Sequence, residues 1–296
     1  MVILLCDSCT KKEEEKPGYS SHTDFNEISA FLAASAPKKI LFSNDALQEM
    51  TLVSSRGGLV TIPAGIIVDA QGNPVSGTVD YEFTQYLTKS DMIYSGVTTL
   101  TSDGKLLESG GMANLRATVD GQEVFIKKGD LVTVIFPTAL KPFLGYIGRS
   151  GSDGVNHVTW ELRPGALRID SLTKQLALGL DSFGYWNLDR LDSSVSRTDV
   201  MVTLPSFCTK LDTRVVLVNK DANSVCYLYN SGTNREWDIS GIPLGLNAKL
   251  LVIQLKDNHL KYAIRDITIR QDHKLSIDWL DDISEFDLSA VIKSMN

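Results

Sequence analysis

Histidine is scarce in this chain, with four in 296 residues. His22, His157, His259 and His273 share no ligand spacing, and each stands near a turn or among polar residues. A transition-metal site gathers several such side chains around one ion, so isolated surface histidines and no metal centre are expected. Also missing are a Gly-x-Ser-x-Gly elbow, a His-Glu-x-x-His helix and a glycine-rich phosphate cradle opening a helix. No cofactor is expected. Basic residues are the minority, 29 Lys and Arg against 36 Asp and Glu, for a net charge of -7. That balance argues against nucleic acid as a partner, because such a surface needs clustered Lys and Arg. No apolar run approaches the roughly 20 residues of a membrane-crossing helix.

What is present is the patterning of β-sheet. Residues 57–112 read as strand, turn, strand, long excursion and return. Residues 59–62 are apolar and largely β-branched, and residues 69–74, Asp-Ala-Gln-Gly-Asn-Pro, are dense turn chemistry. Val79, Tyr81 and Phe83 alternate with Asp80, Glu82 and Thr84, the mark of a half-buried strand. Asp120-Gly121 sits between two alternating runs, 114–119 and 122–126, and predicts a hairpin. Gly110-Gly111 reads as a tight turn leading into the strand at Asn114. Residues 131–136 and 158–162 predict further strands. Five more are expected at 200–204, 214–219, 224–229, 250–255 and 260–269. Periodicity does not decide residues 170–178.

Short strands at this spacing predict an all-β fold of two antiparallel β-sandwich domains with short peripheral helices and an N-terminal tether. A chain of this length commonly forms two domains, each with its own core. The expected division is 10–43 tether and short helix, 44–148 first sandwich, 149–196 connector, 197–272 second sandwich and 273–296 acidic tail.

Two segments predict helices. Phe25, Ile28 and Leu32 recur at helical spacing with Phe31 alongside, as a short surface helix capped by Thr23 or Asp24 and ended by Pro37. An extended tether is the alternative. In the tail, Ser284 or Asp287 caps a helix that places Leu288, Val291 and Ile292 on one face. Trp279, Leu280, Ile283 and Phe286 look too apolar for water, so the tail is expected to dock on a sandwich. An acidic arm for a basic partner and a disordered end are the alternatives.

Residues 1–5 are a short apolar run, followed by Cys6, Asp7, Ser8 and Cys9 and then a Lys- and Glu-rich stretch. This resembles the end of a bacterial lipoprotein signal, with Cys9 as the lipidated residue and residues 1–9 as the partial signal. A buried first strand with an incidental cysteine is the alternative. The stretches 57–65, 69–77, 91–93 and 104–112, with 184–190, 242–245 and 264–269, are similar to uncharacterised surface lipoproteins of Bacteroidetes-type bacteria. The first half of the pattern is similar to the sandwich of ankyrins and netrin receptors. The second unit resembles the regulatory domain of carboxypeptidases and transthyretin. The resemblance implies an envelope address, on the outer-membrane surface or in the periplasm, membrane attachment through a lipid, and no established activity.

The sequence therefore predicts a non-catalytic envelope lipoprotein with a structural or binding role toward a protein or glycan. Phe183, Tyr185 and Trp186 are the candidate ligand surface, because sugar rings stack on aromatic faces; a junction core is the plainer reading. The rival class is a glycoside or peptide hydrolase using two of Glu82, Glu108, Glu161 and Asp189, brought together only in space. Asp69, Asn73, Asp221 and Asn223 carry oxygens suited to calcium, although turn formation explains them equally. Cys208 and Cys226 flank one strand, and an oxidising compartment permits a disulfide between them; two buried free thiols are the alternative.

Overall fold

The computed structural model describes residues 21–138, 141–150, 158–169, 175–191, 195–230 and 235–296. Cys6, Cys9 and His157 lie outside them. The chain opens with helix α1 (Ile28–Ala34), then strands β1 (Ile40–Asp45), β2 (Met50–Val53), β3 (Leu59–Ile62), β4 (Ile67–Val68) and β5 (Thr78–Tyr86). Helix α2 (Lys89–Ser95) precedes β6 (Glu108–Val119), β7 (Gln122–Glu123), β8 (Phe125–Ile126), β9 (Val132–Ile135) and β10 (Leu144–Ser150). There follow β11 (Val158–Leu162), β12 (Leu167–Ile169), β13 (Leu176–Leu180) and β14 (Gly184–Arg190). The last part holds β15 (Arg197–Thr203), β16 (Thr213–Asn219), β17 (Val225–Asn230), β18 (Glu236–Pro243), β19 (Asn247–Lys256) and β20 (His259–Thr268). Strands β21 (His273–Ser276) and β22 (Asp281–Asp282) lead into helix α3 (Glu285–Lys293).

The fold is all-β and sandwich-like. One sheet runs β1-β5-β6-β14-β10-β11, and it packs against a second, β12-β13-β9-β3-β2. Val79, Tyr81 and Phe83 of β5, Leu115 of β6 and Val132 and Val134 of β9 fill the space between them. The Asp120-Gly121 hairpin forms as expected, both residues at positive φ. The expected connector at 149–196 is corrected: β11 and β14 complete the first sheet and β13 enters the second. Strand β14 sits between β6 and β10 in the middle of the first sheet, and its pairing with β6 joins residues as far apart as Glu108 and Arg190, which no local pattern announces. The glycine pair is corrected as well. Gly110 and Gly111 lie inside β6, at the irregularity opposite Leu188 and Asp189. A Cβ on Gly111 would meet the Phe136 ring at 2.7 Å, so close packing rather than a turn calls for glycine here.

The second unit is built on the order β21-β15-β18-β17-β16-β19-β20-β22. Its central strands are apolar on both faces, and both are covered. Val215 and Leu217 of β16 with Leu250 and Val252 of β19 point into the unit's own core. Val216, Val218, Leu251 and Ile253 point the other way, into a core shared with Tyr86, Met112, Tyr146 and Trp160 of the first unit. All three helices contribute to that shared core through Ile28, Phe31, Leu32, Met92, Ile93, Leu288 and Ile292.

The helices correct several sequence expectations. Helix α1 is packed in the shared core rather than lying on the surface, its N-cap is Glu27, and it ends at Ser35 before Pro37. Helix α2 was not expected; its Thr88 hydroxyl and Asp91 carboxylate form a reciprocal capping box. The tail does dock, with Ser284 capping α3, but Trp279 and Phe286 stay 57% and 82% exposed. Ile283, Leu288 and Ile292 carry the burial instead.

The units are stitched by the segment 97–107. Thr99 donates its N–H to Val225 O at 2.8 Å, Trp160 donates its N–H to Leu100 O at 3.0 Å, and the Trp160 indole donates to Thr98 O at 2.6 Å. Tyr227 donates its hydroxyl to Ile93 O at 2.6 Å.

Candidate functional site

A cleft of about 300 Å3 opens where the two units meet. Strand β6 brings Glu108 to its wall and β14 brings Arg190; the second unit supplies Arg197, Asn219, Ser224 and Leu244. The register that pairs Arg190 with Glu108 explains their meeting, since directly opposed residues on neighbouring strands share a face. Glu108 receives a hydrogen bond from Lys141 Nζ at 2.7 Å on one oxygen and from Arg190 Nη2 on the other. Partial burial opposes ionisation of Glu108, but its hydrogen bonds and charge pairing with Lys141 and Arg190 outweigh this and hold the carboxyl below its ordinary range. Arg197 donates from Nη1 to Gly241 O at 2.9 Å. Gly241 lies so close to Gly104 that an added Cβ would sit 2.1 Å from Gly104 O, so only glycine permits the contact.

One residue along from Arg190, Asp189 has no exposed surface. Asn187 Nδ2 donates to its Oδ2 at 2.5 Å, Ser109 donates to Asn187 Oδ1 at 3.1 Å, and Asp189 Oδ1 has no hydrogen-bond partner. Burial pushes the Asp189 carboxyl well above its ordinary range; the Ser109 hydroxyl pulls it down, and the charge of Glu108 pushes it further up. Alternation along β14 fixes the relation between the two acids. Trp186 and Leu188 point into the first sandwich, so Arg190 and its partner Glu108 lie on that face, and Asn187 and Asp189 lie on the other. The two carboxylates therefore leave the sheet on opposite faces, close enough that the charge of Glu108 is felt at Asp189.

Glu82 is half-buried and bridged to Lys39 at 2.7 Å, and Glu161 is exposed and bridged to Arg149 at 3.2 Å. Neither lines the cleft. Of the aromatic candidates, Trp186 is core, while Phe183 and Tyr185 are half-buried and packed against the cores. Trp186 is 1% exposed and donates its indole N–H to Ser182 O at 3.0 Å. Phe183 packs on the core of the first sandwich, and Tyr185 stacks on Tyr86 at 6.3 Å beside the shared core. A strand buried on both faces looks, in sequence, like an aromatic platform.

The calcium candidates are spent on turns and contacts. Asp69 Oδ1 accepts the N–H groups of Gln71 and Asn73, and its Oδ2 accepts Asn73 Nδ2. Asn223 Nδ2 donates to Leu87 O and Ser109 O, joining the two units. Among the described residues, no three His, Cys, Asp or Glu side chains stand together as a metal site. His22 and His259 meet edge to face at 5.5 Å, and His273 Nδ1 accepts the Arg270 N–H. Cys208 and Cys226 are buried free thiols in the core of the second unit. Cys226 lies opposite Leu217, whereas Cys208 lies by Thr213, four residues along the same strand, an offset of roughly 13 Å. The disulfide is not made.

The sequence did not point to the cleft, Arg197 or Arg190. The one legible signal was Glu108, and it was read for its carboxylate rather than for the cations around it. No protein-family model matches the chain, and no curated protein matches it. Among solved structures, the chain is similar at 10% identity to the gamma-CGTase from Alkalophilic bacillus clarkii, with a TM-score of 0.19 over 80% of this chain and 40% of that one. The chain thus spans about two fifths of that protein's length, and likeness this loose carries no argument.

Proposed function

We propose that the chain is a non-catalytic lipoprotein of the cell envelope, on the outer-membrane surface or in the periplasm, with a structural or binding role toward a protein or glycan. The observation that supports this most is that its one carboxyl with a raised pKa, Asp189, is wholly buried and out of reach of a substrate. Paired-carboxylate hydrolysis needs two acids roughly 5 to 10 Å apart across an open cleft, one of them reachable and protonated. Here Glu108 is held ionised by two cations, and Asp189, the acid with a raised pKa, is sealed behind the sheet. The junction cleft is the concave surface suited to a ligand.

The envelope address rests on the sequence around Cys9. Expressed with its natural upstream sequence in a related bacterium, the mature protein is expected to begin at a lipid-modified Cys9. Mass spectrometry showing an unmodified chain that keeps residues 1–8 would remove the anchor and the address. A glycan and peptide array, followed by incubation of the hits, tests the rest. Binding without cleavage is expected, and shortened products would make the chain a hydrolase.

A further inference from the structure

Between β15 and β16, Phe207 and Leu211 stand 42% and 80% exposed on one short loop. The loop beneath them is braced. Gln254 Nε2 donates to Phe207 O at 3.2 Å and to Asp212 Oδ1 at 3.4 Å. The Thr209 N–H donates to Asp212 Oδ1 at 2.9 Å, and Cys208 is buried in the core of the second unit. Two apolar side chains are thus held in water by a loop that is already ordered, so a contact through them costs little further ordering. Apolar groups presented together in this way mark an interaction surface.

The course of the chain says what that surface meets. The loop leads into β16, whose Thr213 lies opposite Gln254 of β19, and Leu255 donates its N–H to Asp212 O at 2.9 Å. The turn from β19 to β20 then holds the first described residues. Thr23 donates its N–H to Asn258 O, and Leu260 donates its N–H to Ser21 O, each at 2.8 Å. Phe286, 82% exposed, flanks the same point, because the neighbouring Glu285 accepts the Thr23 hydroxyl. Cys9 stands twelve residues before Ser21, so a lipid on Cys9 would keep this end within about 40 Å of the bilayer. A short tether sets an effective concentration of roughly millimolar, at which contacts too weak to bind alone are occupied.

We infer that the loop between β15 and β16 lies on a lipid surface, Phe207 and Leu211 entering the boundary between headgroups and acyl chains with Phe286 beside them. This inference rests on the Cys9 anchor proposed above and names the face that the anchor turns to the bilayer.

The test couples the full chain through Cys9 to phosphatidylcholine vesicles carrying a maleimide lipid. Cys6→Ser leaves Cys9 as the reactive thiol, since Cys208 and Cys226 are buried. Phosphatidylcholine has no net charge, so the apolar contact is read alone. Leu211→Trp in that chain is the reporter, and Leu47→Trp, at a site 61% exposed on the first unit, is the control. Brominated acyl chains quench a tryptophan that touches them. Leu211→Trp is expected to lose most of its added emission on brominated vesicles, and Leu47→Trp to keep it. The natural side chains are read in the chain without either tryptophan, where amide exchange at 206–211 is expected to slow on vesicles. No loss at position 211, equal loss at position 47, or unchanged exchange at 206–211 would overturn the inference. A dimer of the uncoupled chain that Leu211→Asp returns to monomers would also overturn it, because the loop would then meet a second copy. Chemical coupling keeps the two readings apart. A natural protein without lipid on Cys9 removes the anchor while quenching at position 211 still marks a lipid-binding loop, and a lipidated Cys9 without quenching leaves the anchor and removes the inference.

Discussion

At the scale of single residues, Asp189 sets a pH dependence opposite to that of most carboxylates. Below its ordinary value of 3.8, folded and unfolded chains both hold the proton. Above it the unfolded chain releases the proton, while the folded chain keeps it until the raised value is passed. The folded state then binds more protons, so stability falls as pH rises, by up to about 1.4 kcal/mol per unit for this one group. Glu108 acts in the other direction. Its lowered value stabilises the fold above 4.5, and that contribution is lost as pH falls through the folded value. Asp189→Asn keeps an acceptor for Asn187 and removes the titration. Urea melts at pH 5, 6, 7 and 8 are expected to show the variant gaining on the natural protein with each step that lies below the raised value of Asp189. Parallel curves would mean that Asp189 is ionised in the folded state. The two buried thiols give a second expectation: a reducing agent leaves the melting temperature unchanged, and a drop would reveal a bond between Cys208 and Cys226. All four of these residues drew attention in the sequence, but their roles depend on cross-strand register. Glu108 and Asp189 are separated by a sheet whose pairing passes through the irregularity at Gly110 and Gly111, and no spacing along the chain encodes it.

At the scale of elements, α3 separates what was legible from what was not. Leu288, Val291 and Ile292 at helical spacing gave the docked face, and Ser284 gave the cap. The apolar character of Trp279 and Phe286 suggested burial, yet hydrophobicity without periodicity does not say which way a side chain points. Leu288→Ala is expected to cost about 2–5 kcal/mol, as for other fully buried leucines, whereas Phe286→Ala is expected to stay within about 0.5 kcal/mol. Thermal melts of the two variants check the contrast, and equal losses would mean that Phe286 packs in solution. Helix α2 shows the converse. Its capping box, Thr88 with Asp91, was written in the sequence, but a helix of seven residues is too short for apolar periodicity to reveal it. The strands read best of all, because alternation at 78–83 and the Asp120-Gly121 turn are local signals that burial then reinforces.

At the scale of the molecule, the question is whether either half stands alone. Two separate cores were expected from the chain length, and a cut at 148 would have divided them. That cut removes β14 from the middle of the first sheet and β13 from the second, so a fragment ending there is expected to aggregate. A cut between 191 and 195 leaves every sheet whole, yet it bares the shared core. Val216, Tyr227, Leu251 and Ile253 would lie open on one fragment, and Met112, Tyr146 and Trp160 on the other. Each such side chain gives up roughly 1.5–3 kcal/mol when returned to water, and a domain holds only about 5–15 kcal/mol in all. Helix α3 adds a further tie, because Asn296 accepts the Ser90 N–H at 2.9 Å and returns a bond to the Ser90 hydroxyl at 3.0 Å, joining the end of the chain to α2. Fragments 21–191 and 195–296 are therefore expected to be unfolded or aggregated when made separately, and to form a soluble one-to-one complex when made together. The intact chain is expected to melt in one transition. Gel filtration and proton–nitrogen NMR spectra of the fragments check this. Dispersed spectra from either fragment alone would mean that the shared core is an interface between two independent domains, whose relative motion could then open and close the cleft.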